Sequence, residues 1–202
     1  MMTTGEGATT LMLATTKSST TTKNPFTTTT TTTERSSTIT TVESGSITTE
    51  PVCESDATAI TFDDIPSADP AEAELPTNYA GLSWTNGYYI NISTYPNSGY
   101  RYAVASGIYI GWSKGPLIMQ TLSASSTMTF VSCVMAAGWS NSIQVNITGY
   151  YSNTQLYTAT YSLNMYTQTS VVLNWTEINE IIFTPSGSGY PDFGMDNLCI
   201  IF

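Results

Sequence analysis

The sequence predicts an all-β fold, a two-sheet antiparallel β-sandwich of the jelly-roll type, preceded by a disordered threonine-rich segment. Two observations carry this prediction. Roughly half of the first fifty residues are Ser or Thr, whereas residues 53–202 are rich in Tyr, Trp, Ile and Val. In residues 53–202 apolar side chains alternate with polar ones, and turn-forming residues interrupt the pattern about every eight to twelve positions.

Residues 1–52 form the first predicted part. They include the unbroken run Thr27–Thr33 and few apolar side chains, so burial cannot offset the entropy of ordering them. With Pro25 and Pro51, the composition is typical of an O-glycosylated, mucin-like stalk or of a plain flexible linker. The apolar fragment within Met1–Thr16 is too short for a signal peptide, so we expect a secreted form to have further amino-terminal sequence.

Residues 53–202 contain the elements of the sandwich, and the clearest is the strand Ser142–Thr148. There Ile143, Val145 and Ile147 alternate with polar residues, as in a strand with one buried face. The segment Phe130–Ala137 is apolar almost throughout, which indicates a central strand covered on both faces or a strand with a bulge. Strands are predicted at 59–63, 81–84, 88–91, 101–105, 108–112, 117–122, 127–137, 142–148, 155–163, 170–174, 180–184 and 195–202.

Charge and composition exclude several kinds of function. The formal net charge is −10, and Arg101 and Lys114 are the basic residues of the second part, against eleven carboxylates. Phosphate binding requires a clustered basic patch, so nucleic acid is not expected as a partner. The chain has no histidine, which excludes Ser–His and Cys–His nucleophile pairs. No apolar stretch approaches the roughly 20 residues of a membrane helix. We therefore expect an extracellular or cell-surface domain that is not an enzyme.

Three sequons and three cysteines agree with such a compartment. The triplets at Asn91, Asn146 and Asn174 predict N-glycosylation, or are ordinary surface asparagines. Three cysteines allow three single pairings, of which we favour Cys53 with Cys199 because these two bracket the domain. Cys133 lies in the most apolar strand, where a free cysteine behaves as a small buried hydrophobe.

Carboxylates are the first candidate site. Asp63 and Asp64 end the first predicted strand, and Asp196 begins the last. If these two strands pair antiparallel, the three carboxylates converge. Calcium prefers such oxygen ligands, so a structural calcium site is predicted. The alternative is that these aspartates hydrogen-bond to turn backbones.

Aromatic residues are the second candidate site. Tyr and Trp residues are concentrated in the segment from Trp84 to Trp112, and exposed rings in a groove bind the apolar faces of sugars. The glycine-containing loops nearby carry both basic residues of the domain. The predicted ligand-binding residues are therefore Tyr100, Arg101, Tyr102, Trp112 and Lys114. A glycosidase would instead need two of the carboxylates Glu72, Glu74, Glu177, Glu180 and Asp192, but their spacing selects no pair.

Three segments carry a resemblance to a known family. Ile60–Asp64, Leu75–Trp84 and Phe193–Leu198 resemble secreted jelly-roll domains of the galactose-binding-like and carbohydrate-binding modules. The resemblance implies a calcium ion that ties the first strand to the last, here through Asp63 or Asp64 and Asp196. We expect a module that binds carbohydrate or a cell-surface glycan. A structural spacer without a ligand is the alternative, and a glycan hydrolase is a third hypothesis.

Overall fold

Two antiparallel sheets make up the domain, as predicted. The computed structural model describes residues 53–69 and 71–202, and the predicted stalk lies outside these residues. Twelve strands occur in the described part. They are β1 Thr58–Ile60, β2 Glu72–Glu74, β3 Leu82–Thr85, β4 Tyr88–Asn91, β5 Tyr109–Ser113, β6 Leu117–Thr121, β7 Met128–Ala137, β8 Ile143–Tyr151, β9 Thr154–Leu163, β10 Thr169–Ile178, β11 Glu180–Ser186 and β12 Phe193–Ile201.

The strand order places the first strand beside the last. The larger sheet has the order β10-β7-β12-β5-β4-β2, with β1 paired to β12, and the smaller sheet has the order β3-β6-β11-β8-β9. Ala59 lies opposite Cys199 in the antiparallel pair of β1 and β12. This pairing confirms the prediction that the terminal strands of the domain are neighbours.

The main core lies between the two sheets, and alternation along each strand builds it. In β8 the side chains of Ile143, Val145 and Ile147 are fully buried, whereas Gln144 and Asn146 are exposed. Similar inward-facing residues of the other strands join the same cluster. The period-two pattern of the sequence therefore corresponds to one core face and one solvent face.

A second, smaller core covers the outer face of the larger sheet. It consists of Ile90, Tyr100, Ala103, Ile110 and Ala136. Because this core caps β7 from outside, the carboxyl-terminal half of β7 is buried on both faces. The pairing of β12 with β7 also shifts register after Asp196. The sequence left two explanations open for 130–137, a strand covered on both faces and a strand with a bulge, and the fold contains both features.

The predicted strand at 101–105 is wrong. The chain there forms a 3-10 helix, Gly99–Tyr102, followed by a loop over 103–108. Tyr100 and Ala103 are both buried, and this spacing of three residues is the helical period, which the local alternation concealed. The short strand β2 was not predicted because two of its three residues are charged and exposed. Among the described residues, no helix has both the length and the apolar character required to span a bilayer.

A disulfide closes the domain. Cys53 and Cys199 are bonded, with their Cα atoms 5.3 Å apart and a sequence separation of 146. The pairing favoured from the sequence is therefore present. Of the described cysteines, Cys133 is buried and forms no disulfide. Burial raises the pKa of its thiol, so Cys133 is an inert part of the core.

Candidate ligand-binding cavity

A cavity of about 750 Å³ opens on the outer face of the larger sheet. This volume lies within the range of small-molecule binding sites, roughly 300–1,000 Å³. Aromatic side chains dominate its lining, and three charged residues join them. The aromatic residues are Tyr95, Tyr100, Trp112, Trp139 and Tyr190, and the charged residues are Glu72, Lys114 and Asp192.

Strand register explains why the cavity forms at this place. Trp112 of β5 lies between Tyr88 of β4 and Gly194 of β12. A Cβ atom at Gly194 would come within 3.1 Å of Tyr100 Cδ1 and 2.5 Å of Ile110 Cδ1. The missing side chain therefore lets Tyr100 pack down onto the sheet, where it forms the floor of the cavity.

The rings along the cavity form a continuous chain. Trp112 lies 5.2 Å from Tyr88 and 6.0 Å from Tyr100, measured between ring centroids. Trp139 lies 6.3 Å from both Tyr95 and Tyr100, edge-on to each. These separations are those of favourable aromatic pairs. Trp139 is 44% exposed, so its ring is accessible to a ligand.

Asp192 and Tyr100 form a buried polar pair at the cavity. Burial, followed by the charge and hydrogen bond of Asp192, raises the pKa of Tyr100. The hydroxyl therefore stays protonated beside the carboxylate. Burial also raises the pKa of Asp192, against the hydrogen bonds of Tyr100 and of backbone groups. One such bond comes from the Trp139 amide, 3.2 Å from Asp192 Oδ1.

The indole N–H of Trp112 lacks an acceptor. Within the described part of the chain, Trp112 Nε1 is the one buried side-chain polar atom that has no hydrogen-bond partner. Leaving a buried donor unsatisfied costs about 1–3 kcal/mol. Trp112 lines the cavity, but its Nε1 is itself buried, so a ligand acceptor reaches this N–H only when the neighbouring side chains shift.

Three of the five predicted ligand-binding residues line the cavity, namely Tyr100, Trp112 and Lys114. Arg101 and Tyr102 are not among the lining residues. The Arg101 guanidinium lies over the Tyr102 ring, 4.9 Å from its centroid, and donates to the Tyr102 hydroxyl at 3.2 Å. A ligand-binding role for this pair stays a prediction.

The sequence-based interpretation missed Trp139 and Tyr190 as cavity residues. Both lie in short connections, after Gly138 and Gly189 respectively. A large aromatic side chain in a glycine-containing loop was the available signal, since loops carry few core residues. The sequence marks Asp192 and Glu72 only as carboxylates available to a glycosidase, because nothing in it indicates that they face the same cavity.

The structure brings two of the three predicted calcium ligands together. Asp196 is fully buried, and its Oδ2 accepts the amides of residues 105–106 at 2.8 and 2.9 Å. Asp63 Oδ1 accepts the amides of residues 108–109 at 2.9 and 3.1 Å. Burial raises the pKa of Asp196 to about 6, although the hydrogen bonds from the amides of residues 105–106 and of Asn197 oppose the shift. Both aspartates therefore hold one loop, 103–108.

Asp64 points elsewhere, so the three aspartates do not converge on one point. Asp64 Oδ1 accepts the Tyr79 hydroxyl at 2.6 Å. In residues 53–69 and 71–202, no group of three or more His, Cys, Asp or Glu side chains is placed to hold a metal ion. Calcium takes six to eight oxygen ligands, whereas Asp63 and Asp196 face N–H donors. Calcium binding stays a prediction, and the alternative of hydrogen bonds to turn backbone matches this geometry.

The three predicted glycosylation sites differ in accessibility. Asn91 is buried, and its Oδ1 accepts from the amide and hydroxyl of Ser93 at 3.0 and 2.6 Å. Asn146 is exposed on β8 of the smaller sheet, and Asn174 is exposed on β10. β10 forms one edge of the larger sheet, whereas the cavity strands β4 and β2 lie at the other, and β5 is separated from β10 by β7 and β12. Glycans at the two exposed positions would leave the cavity open.

Comparisons with known proteins find similar structures at low sequence identity. A cyclase from Fischerella sp. in its apo form is 8% identical, with a TM-score of 0.43 over 73% of this chain and 97% of its own. TmCBM61 in complex with β-1,4-galactotriose is 9% identical, with a TM-score of 0.36 over 61% and 89%. A family 16 carbohydrate-binding module is 8% identical, with a TM-score of 0.31 over 62% and 89%. No protein-family model matches the chain, and a search of curated proteins finds no match.

Proposed function

We propose that the domain binds carbohydrate at the aromatic cavity, without catalysing a reaction on it. The observation that carries the proposal is the accessible ring of Trp139 in a cavity that is also lined by Trp112, whose buried Nε1 has no partner in the protein. A sugar ring offers an apolar C–H face that stacks on such rings. Its hydroxyl groups accept from the indole N–H and donate to the Asp192 carboxylate, so one ligand class satisfies both.

The charges around the cavity favour an uncharged glycan. Two carboxylates, Glu72 and Asp192, and a single lysine, Lys114, line it. An anionic polymer would place like charges beside Glu72 and Asp192, which is unfavourable where water is partly excluded. Lys114 is exposed at the cavity, where it can donate to a hydroxyl. Nucleic acid is not a partner in this proposal.

An extracellular or cell-surface location is part of the proposal. The Cys53–Cys199 disulfide is of a kind that persists in oxidising compartments. The exposed sequons at Asn146 and Asn174 agree with secretion and lie away from the cavity. A spacer without a ligand would need no accessible aromatic cavity, so the cavity favours the binding hypothesis over that alternative.

A panel of neutral and charged oligosaccharides, titrated against the full chain by tryptophan fluorescence, tests the proposal. We expect saturable quenching by a neutral glycan, and Trp139→Ala should remove most of it. Tyr151→Ala is the control, because Tyr151 is 40% exposed but lies at the end of β8 in the smaller sheet. A panel without any saturable response, or equal loss in both variants, would refute carbohydrate binding at this place.

Hydrolysis is a second candidate, favoured by one observation. Glu72 and Asp192 line the same cavity, and burial raises the pKa of Asp192, as a general acid requires. The release of reducing ends from the same panel measures this activity. Turnover that Asp192→Asn abolishes while binding persists would establish a hydrolase. Binding without turnover leaves the non-catalytic function.

A further inference from the structure

The loop 103–108 joins the two elements that carry the central cavity rings. Tyr100 belongs to the 3-10 helix before the loop, and Trp112 belongs to β5 after it. No strand pairing holds this loop: along that edge of β12, the pairing with β5 ends at Met195 and the pairing with β1 begins at Leu198. Something other than a β-ladder must therefore fix its conformation.

Two carboxylates hold the loop in place of strand pairing. Asp196 lies at the unpaired edge position of β12 and binds two loop amides, and Asp63 binds two more, those of residues 108–109. The Ser106 hydroxyl adds contacts of 3.3 Å to Asp63 Oδ2 and 3.1 Å to Asn197 Oδ1. Charged acceptors make stronger hydrogen bonds than neutral ones, so three amides of the loop and the first amide of β5 are held by two side chains distant in sequence.

Gly107 shows how closely the loop approaches Asp63. Its φ is +52°, and a Cβ atom there would lie 2.0 to 2.1 Å from the carboxylate atoms of Asp63. Only glycine tolerates both this conformation and this approach. The backbone of the loop is therefore shaped around the Asp63 carboxylate.

We propose that Asp63 and Asp196 are positioning residues of the cavity, which set the spacing of Tyr100 and Trp112 by holding the loop between them. This inference rests on the proposed function for the identity of the ligand, whereas the geometry that it asserts is the same for any ligand. The two aspartates then act through hydrogen bonds to backbone, and a metal ion is not required for their role.

Fluorine NMR of the full chain tests the proposal without a ligand. The four tryptophans are replaced by 5-fluorotryptophan, and single Trp→Phe variants assign the signals. In Asp63→Asn, we expect the Trp112 signal to shift or broaden and the amides of 105–109 to exchange hydrogen at least about tenfold faster. The Trp175 signal, from β10 at the far edge of the sheet, should stay unchanged and so report an intact sandwich.

Asp64→Asn is the matched control. It removes the same charge one residue away, but Asp64 binds Tyr79 and not the loop. With a glycan from the panel, Asp63→Asn should weaken binding about fivefold or more relative to Asp64→Asn. Should Asp63→Asn unfold, Ser106→Ala is the milder variant, with smaller changes of the same kind expected at Trp112.

Two results separate this proposal from the proposed function. If the panel gives no ligand but Asp63→Asn still alters the Trp112 signal and the loop amides, carbohydrate binding fails and the positioning role stands. If the Trp112 signal and the loop exchange are the same in Asp63→Asn and Asp64→Asn, the positioning role is refuted, whether or not a glycan binds.

Discussion

The rings of Tyr100 and Trp112 lie 6.0 Å apart on the outer face of the larger sheet, although a helix-to-strand connection separates them in the chain. Neither ring owes its position to local sequence alone. Gly194 makes room for Tyr100, and Asp63 and Asp196 hold the connection. The cavity is therefore a product of tertiary contacts, and variants at those contacts should change it in separable ways.

Trp112→Phe tests the role of the unpartnered indole N–H. The substitution keeps an aromatic ring but removes the donor, so glycan binding should weaken about three- to tenfold, the value of one hydrogen bond. The melting temperature should change little, because the N–H has no partner in the protein. Parallel titration and thermal unfolding measure both effects.

Trp84→Phe is the comparison for that variant. Trp84 Nε1 donates to the Tyr79 carbonyl at 2.9 Å, so its loss should lower the melting temperature and leave binding unchanged. The reverse pattern, with stability lost in Trp112→Phe and affinity lost in Trp84→Phe, would contradict the assignment of the donor.

Gly138→Ala should disturb the floor of the cavity. The added methyl would lie 2.5 Å from Tyr100 Cε1 and 2.6 Å from Asp192 Oδ1, so one of these side chains must move. Overpacking of this kind costs about 1–3 kcal/mol. We expect a lower melting temperature and weaker glycan binding.

Gly115→Ala is the matched control for overpacking, since nothing lies within 4 Å of a Cβ atom at that position. It should be close to neutral in both measurements. Equal effects of the two alanines would show that Gly138 has no special role beside Tyr100 and Asp192.

The free energy of unfolding should rise as the pH falls from neutral toward about pH 4. Burial raises the pKa of Asp196 from 3.8 to about 6 in the folded state, and it also raises that of Asp192. The folded state therefore binds these protons more tightly than the unfolded state, and the gain accumulates between the folded and unfolded pKa values. Urea unfolding at about pH 7.5 and about pH 4.5 measures the difference.

Asp192→Asn should reduce that pH dependence of the unfolding free energy, because it removes one of the two carboxyl groups whose pKa burial raises. The chain has a net charge of −10, so general repulsion among its carboxylates also changes with pH. High salt screens that repulsion, and measurements in high salt therefore isolate the effect of the buried aspartates. Stability that decreases as the pH falls through about 6 would mean that Asp196 is stabilised in its charged form, contrary to its burial.

Thermal unfolding in calcium and in a chelator tests the calcium prediction directly. A bound ion raises the melting temperature by mass action. Because Asp63 and Asp196 accept loop amides and Asp64 accepts a tyrosine hydroxyl, we expect the same melting temperature in both conditions. An increase of several degrees in calcium would establish the site predicted from the sequence.

Mass spectrometry of the protein secreted from eukaryotic cells tests the sequons. We expect glycans at Asn146 and Asn174, whose side chains are exposed. Asn91 is buried and bound to Ser93, so it should be unmodified. Glycan at Asn91 with a normal melting temperature would show that this turn is not closed in the folded protein.

Sequence patterns predicted the sandwich better than the cavity, for a physical reason. Alternation in β8 follows directly from one buried face, and the pairing of Cys53 with Cys199 follows from the closeness of the domain ends. The 3-10 helix at Tyr100 was misread because its buried residues are few and its turn short. Trp139 and Asp192 meet Tyr100 only through loops, whose course no periodicity encodes.

The disulfide has a mechanical consequence for a domain held at its amino-terminal end. A pull applied ahead of Cys53 reaches Cys199 through the covalent bond, and so bypasses the three-residue strand β1. β12 then receives the tension in the interior of the larger sheet, between β7 and β5. Under reducing conditions the same pull would act first on β1 and on the residues that lead to Asp63. The cavity would then lose its geometry at a lower force than the force that unfolds the sandwich.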